Sequence, residues 1–216
     1  MAHGNNQKQV PVKKRIGIFI FDEAEVLDFA GPFEVFSVAS EVHNHSLYEV
    51  VTIAKQEDIV TAVNGLLISP HYSIENAPPL DILIVAGGAG TRNVMADERV
   101  LKWVRSIHEK AELTMSICSG ARLLGALGLL DGKPYCTHHG VYDHMAEVSP
   151  SGIPRKDKRF IQTDKNLFTS GGISAGIDLS FYVLEMLNGK QVVEATAAYM
   201  EYDVREKYRY GVYEAF

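Results

Sequence analysis

The sequence predicts an α/β fold built on a mostly parallel central sheet. Apolar runs of strand length recur at 15–21, 48–54, 81–86 and 113–117, and most lack the polar alternation of a half-exposed strand. Stretches with helical spacing fall between and after them, at 31–42, 97–111, 175–187 and 191–202. The 216 residues suit one domain with a substantial core, here expected over 15–216, behind a flexible polar arm at 1–14.

Taken in order, the run at 15–21 (Ile16, Ile18, Phe19, Ile20, Phe21) reads as a strand covered on both faces. A polar loop at 22–25 follows. Gly31 and Pro32 then open a helix, with Pro32 in its first turn, where the missing N–H is tolerated. Val50, Val51 and Ile53 mark the second strand. Asn64 and Gly65, flanked by apolar residues at 59–63 and 66–68, predict a small antiparallel hairpin decorating the sheet. The strand at 81–86 runs into Gly87, Gly88, Ala89 and Gly90, ahead of a helix carrying Val100, Leu101, Val104 and Ile107. A short strand is expected at 133–138, and 159–163 pairs with 167–169 across a turn at 164–166. Ser170, Gly171, Gly172 and Ile173 lead into the penultimate helix. An aromatic-rich tail occupies 208–216.

The chain is organised around the fourth apolar strand, 113–117. It ends at Cys118, and a small-residue helical run begins immediately afterwards, closing at 128–132. A thiol on such a turn sits at the positive end of a helix, where unpaired amides stabilise a thiolate and lower its pKa. Nucleophile elbows built on serine use the same geometry. Ser119 and Gly120 keep the turn uncrowded, and Gly125 is expected to let the helix pack closely on the sheet. The competing reading is a buried structural cysteine.

Composition removes several function classes. Hydrophobic residues make up 46% and charged residues 22%, the profile of a soluble globular protein. A net charge of −6, with Lys13, Lys14 and Arg15 as the only dense basic group, argues against nucleic acid as a partner. No segment has the length of uninterrupted apolar sequence that a membrane span needs, and residues 1–14 lack a signal-peptide core. Two cysteines, Cys118 and Cys136, are too few for a disulfide framework, so a reducing, cytoplasmic setting is expected.

In parallel α/β sheets, sites lie beyond the carboxyl ends of the strands. That rule gathers Asp28, Gly87 with Gly88, Cys118 with Ser119, and His138 with Gly171 and Gly172. Gly87 and Gly88 either present amides to a developing anion or form a tight turn without chemistry. They do not belong to a dinucleotide fingerprint, and no Walker-type lysine is present. Asp28 either caps its helix, the commoner fate of such a residue, or is held inward. Pointed at Cys118, it would gain a raised pKa and serve as a general acid. Glu23, Glu25 and Glu34 are read as solvated surface charges. His138 and His139 could serve Cys118 as a base; no third residue at a ligand spacing supports a metal. Cys136 reads as a core residue.

These residues resemble a known family. Ile117, Cys118, Ser119, Gly120 and Ala121, with Leu124, Gly125, Ala126, Leu127 and Gly128 after them, resemble the nucleophile elbow of the ThiJ/PfpI superfamily. Leu27 to Pro32, Gly87 to Gly90, Thr137 with His138, and Thr169 to Asp178 are similar to its isonitrile hydratase branch, and the likeness runs over 15–202. The resemblance implies a flavodoxin-like α/β/α sandwich, homodimerisation, a small-molecule substrate and no cofactor or metal. It implies Cys118 as nucleophile and Asp28 as its acidic partner, with Gly87, Gly88 and Ser119 around the developing anion. His138, Gly171, Gly172 and Ile173 complete the expected substrate site. Threonine commonly follows the cysteine in this branch; Ser119 keeps the hydroxyl and loses the methyl. The protease-like branch has histidine there, so peptidase activity is not expected. Similar domains form the N-terminal half of AraC-type regulators, but this chain ends before a helix-turn-helix could follow, and DNA binding is not expected. The implied reaction is hydration of an isonitrile to a formamide. Glyoxalase-type chemistry on 2-oxoaldehydes and a non-catalytic cysteine sensor are the alternatives.

Overall fold

The computed structural model describes residues 13–204. The expected aromatic tail and most of the expected N-terminal arm lie outside that range; Lys14 already belongs to the first strand. The strands are β1 (Lys14–Phe19), β2 (Tyr48–Ala54), β3 (Val60–Thr61), β4 (Leu67–Ile68), β5 (Tyr72–Ser73), β6 (Ile82–Val85), β7 (Leu113–Ser116), β8 (Pro134–Tyr135), β9 (Ile153–Pro154), β10 (Phe160–Asp164) and β11 (Leu167–Ser170). The helices are α1 (Val26–Glu41), α2 (Thr91–Val94), α3 (Glu98–His108), α4 (Ala121–Ala126), α5 (Tyr142–Val148), α6 (Ala175–Asn188) and α7 (Lys190–Tyr199).

Seven strands form one sheet in the order β10-β11-β7-β6-β1-β2-β5. All neighbours are parallel except β10, which returns antiparallel beside β11. The chain builds β2 on one side of β1, then crosses back to add β6, β7 and β11 on the other. This is the doubly wound order of flavodoxin-like α/β/α sandwiches, and its reversal opens a crevice at the carboxyl ends of β1 and β6. Helix α1 packs on α6 and α7, while α4 packs on α5 and α2. The continuous apolar runs are explained by two-sided cover: Ile82, Leu83, Ile84 and Val85 of β6 are all fully buried.

Several expectations change. Helix α1 begins at Val26 rather than Gly31, so Pro32 lies inside it and removes one N–H from the helical ladder. Burial of Phe29, Val35 and Phe36 against the core offsets that loss. The earlier start places Asp28 in the first helical turn; Glu25 holds the capping position and accepts the Asp28 N–H at 3.1 Å. The hairpin around Asn64 and Gly65 forms, with φ of 60° and 84° at those residues, but as a separate two-stranded sheet. It is tied to the loop after β1 by Thr61 N–H donating to Asp22 Oδ1 at 2.8 Å. The strand expected at 133–138 shrinks to Pro134–Tyr135, which pairs with β9 away from the main sheet. Gly125 faces α5 rather than the sheet: an added Cβ would meet Met145 and Val148 at 3.0 Å. Cys136 is fully buried although it lies just beyond β8. At the far edge, buried Asp178 of α6 pairs with Arg159 and accepts from Tyr202 Oη at 2.6 Å, tying α6 to the chain ahead of β10.

Candidate active site

The crevice at the reversal is where the loops after β1, β6, β7 and β11 meet. Cys118 follows β7 with φ of 55°, a left-handed conformation that costs a non-glycine residue about 1–3 kcal/mol. Both of its backbone groups are held. Its N–H donates to Gly171 O at 3.1 Å, and Thr137 Oγ1 donates to its carbonyl at 2.8 Å. A short 3-10 turn, Cys118–Gly120, then feeds α4.

Asp28 is fully buried beside the thiol. Its Oδ2 accepts the Gly87 N–H at 3.0 Å and its Oδ1 accepts the Ile173 N–H at 3.1 Å. Burial pushes the carboxyl from 3.8 up to about 7; the Cys118 thiol and those two amides oppose the rise, and the charge of Glu25 adds to it. Cys118 does not have the lowered pKa expected of an elbow at a helix start. Burial first, and the Asp28 charge second, push its thiol up to about 12, against the amides of Ser119 and Ile173. Desolvation wins because the residue is only 6% exposed. Near neutral pH the thiol therefore keeps its proton while the carboxyl beside it titrates, and the two form one hydrogen-bonded, coupled pair.

The glycine amides expected around a developing anion already have partners. Gly87 N–H goes to Asp28, and Gly88 N–H donates to Ser119 Oγ at 2.8 Å. The Ser119 hydroxyl returns a bond to Gly88 O at 2.9 Å and accepts from Thr91 Oγ1 at 3.3 Å, so it pins the β6 loop. The amides beside the sulfur are those of Ser119 and Ile173, the second of which also serves Asp28 Oδ1. Ile173 takes a positive φ of 55° and is 38% exposed at the cleft. Gly171 acts through its carbonyl, as the acceptor of the Cys118 N–H. Gly172 leaves room where nothing larger fits: a Cβ there would come within 2.2 Å of His138 Cδ2 and 3.4 Å of Cys118 Sγ.

His138 lines the cleft; burial first, and neighbouring His139 second, lower its pKa, and its Nδ1 accepts from Gly140 N–H at 3.2 Å. His139 lies against it, its ring tilted by 40° with 4.1 Å between centroids, but is exposed and outside the cleft. The cleft measures about 210 Å³ and is completed by Glu25, Ala89, Arg122 and Val141. A larger groove of about 770 Å³ along α7 contains no cysteine or histidine, so the reactive groups belong to the smaller one. Among the described residues no group of three or more His, Cys, Asp or Glu is placed to hold a metal ion.

Glu25, read from sequence as a surface charge, thus lines the cleft. Arg122 also lines it; the only signal in the sequence is its place four residues after Cys118, one helical turn along the elbow. Close packing makes Gly87 sensitive: an added Cβ would fall 2.6 Å from both Asp28 Oδ2 and the Ser119 nitrogen, and 2.8 Å from Cys118 Cβ. Gly87→Ala is expected to displace the Asp28–Cys118 pair and cut turnover by about a hundredfold or more, measured as kcat/KM on whatever substrate the wild type accepts.

Comparison with known proteins places this geometry. The sequence profile of the DJ-1/PfpI family matches residues 14–186. The chain is 35% identical to the isonitrile hydratase of Pseudomonas putida over 188 residues, covering 87% of this chain and 78% of that protein. It is 28% identical to the HTH-type transcriptional regulator GbdR of Pseudomonas aeruginosa over 90% of this chain, yet spans only about half (51%) of that regulator. Among solved structures, a ThiJ/PfpI family protein from Pseudomonas syringae superposes with a TM-score of 0.79 at 27% identity, covering 94% of this chain and 81% of that one. Drosophila melanogaster DJ-1beta superposes with a TM-score of 0.75 at 20% identity, over 89% of this chain and all (100%) of the other, a likeness of fold. A match that runs from β1 nearly to the end of α6, on a chain folded as these structures are, places this protein in the DJ-1/PfpI family.

Proposed function

We propose that the protein adds water to a small isonitrile, giving an N-substituted formamide, with Cys118 as nucleophile and Asp28 as proton carrier. The observation that carries this reading is the buried Cys118–Asp28 pair, whose carboxylate is fixed on both oxygens by backbone N–H groups. Similarity to an isonitrile hydratase over most of both chains supports the same reaction.

The pair suits a carbon that is first electrophilic and then basic. As the sulfur bonds to the terminal isonitrile carbon, Asp28 takes the thiol proton and delivers it to that carbon. The product is a thioimidate, R–N=CH–S–Cys118. Water then adds across the C=N bond, one proton going to nitrogen. Breakage of the C–S bond releases R–NH–CHO, and the remaining proton returns to the Cys118–Asp28 pair. The sum is isonitrile plus water to formamide, with no change of oxidation state in the protein. Amides of Ser119 and Ile173 beside the sulfur would stabilise it when it leaves as thiolate.

The test follows loss of two small isonitriles, one a neutral alkyl compound and one bearing a carboxylate, and appearance of their formamides by mass spectrometry, with wild type beside Cys118→Ala. Absence of turnover by folded wild type would sink the proposal; lactate from methylglyoxal would then point to glyoxalase-type chemistry. A peroxide sensor draws less support from this site, because burial raises the thiol and leaves little of the thiolate that peroxide attacks.

A further inference from the structure

Arg122 is only 5% exposed, yet it has no ion-pair partner among the described residues. Buried arginines are as a rule matched by an acid, because an unpaired buried charge is strongly destabilising. Here the partners are neutral. Nε donates to His144 Nδ1 at 3.2 Å, which requires the uncharged imidazole, and Nη1 donates to Thr91 Oγ1 at 2.8 Å. These bonds leave donors over, since a guanidinium carries N–H groups on all three nitrogens. Among the described residues Nη2 has no hydrogen-bond partner, and it is not sealed from solvent. Arg122 lines the same cleft as Cys118, and the cleft is polarised. Glu25 acts on Asp28 and His138, whereas Arg92 places a second positive charge near Arg122.

We infer that Arg122 is a specificity-determining residue that receives a carboxylate on the substrate, holding it in the cleft with the reacting carbon at Cys118. A planar guanidinium with open donors matches a carboxylate, and the small cleft favours a compact molecule carrying its charge a few bonds from the reacting carbon. Together with the proposed reaction, on whose nucleophile it rests, this names the substrate class as an isocyano carboxylate rather than a neutral alkyl isonitrile.

The test uses two alkylating probes of similar size, so that it does not depend on isonitrile turnover. Iodoacetate and iodoacetamide both lose iodide to the Cys118 sulfur, and differ in bearing a carboxylate or a neutral amide. Rates of Cys118 labelling, read by peptide mass mapping, give an iodoacetate-to-iodoacetamide ratio within each variant. General damage to the thiol cancels in that ratio. Arg122→Met is expected to lower the ratio about tenfold or more, with Arg122→Lys restoring part of it. As a second readout, N-formyl-β-alanine and N-propylformamide are titrated while the Ser119 and Ile173 amide resonances are followed. The acid should bind the wild type more tightly, and lose that advantage in Arg122→Met. Ratios unchanged within about twofold, or equal loss of both formamides, would overturn the inference. An anion preference in an enzyme that turns over no isonitrile would instead leave Arg122 its role and remove the hydratase reading.

Discussion

Cys118→Ala is expected to abolish formamide production, by about a thousandfold or more, while leaving the protein folded. The two halves of that expectation have separate grounds. The N–H and carbonyl of Cys118 are held by Gly171 O and Thr137 Oγ1, so the left-handed turn survives loss of the sulfur. Alanine at φ of 55° bears a strain similar to that of cysteine, and the vacated volume is that of a single atom. Urea unfolding should therefore place the variant within about 1 kcal/mol of wild type. Chemistry, by contrast, has no substitute: the other cysteine, Cys136, is fully buried just beyond β8, with its Sγ 3.5 Å from Arg155 O, and does not line the cleft. Cys118→Ser should be nearly as inactive, because a hydroxyl ionises far less readily than a thiol and is a poorer nucleophile towards a soft carbon. Retention of more than about a tenth of wild-type turnover by Cys118→Ala would remove the sulfur from the mechanism.

The elbow was legible because its signal is local. An uninterrupted apolar run stopping at Cys118, with small residues after it, permits few other geometries, and the same holds for the strands that become β1, β2, β6 and β7. The beginning of α1 was not legible. Gly31 and Pro32 look like a helix start, and only the packing of Phe29, Val35 and Phe36 shows why the helix runs through them from Val26. That misplacement matters chemically: a residue just ahead of a helix caps it, whereas Asp28 in the first turn is turned inward to the thiol.

Electrostatics separated the rest. The sequence displays the amides at a helix start, which lower a thiol pKa, but not the desolvation that outweighs them once Cys118 and Asp28 are buried together. For the same reason Glu25 and Arg122 passed as ordinary charges. Glu25 lines the cleft with its N–H held by Gly87 O at 2.9 Å, and Arg122 lines it with its guanidinium held by Thr91 and His144. Those contacts join residues far apart in the chain. Between β8 and β10, neither α5 nor β9 has a periodic run long enough to announce it.

Asp28 should reveal itself through opposite pH trends in activity and stability. With its folded pKa near 7, the Cys118–Asp28 pair holds two protons below that pH and one above it. Only the singly protonated pair can pass the thiol proton to carbon as the sulfur attacks. For a neutral isonitrile, kcat/KM should therefore fall about tenfold per pH unit below about 7 and level off above it. In Asp28→Asn that inflection should vanish and the plateau should drop by about a hundredfold or more. Stability runs the other way. The folded carboxyl binds its proton more tightly than the unfolded chain, whose value is 3.8. Its favourable contribution is therefore complete below about pH 4 and is lost as pH rises through about 7. The shift corresponds to about 4 kcal/mol. Asparagine loses this linkage, though its amide NH₂ must face a backbone N–H that the carboxylate accepted, which lowers its baseline stability. The slope is the readout: urea unfolding at pH 4 and pH 8 should show wild type losing several kcal/mol relative to Asp28→Asn. Parallel pH profiles for the two proteins would mean that the Asp28 carboxyl does not titrate between pH 4 and pH 8 and is not the group behind the inflection in activity.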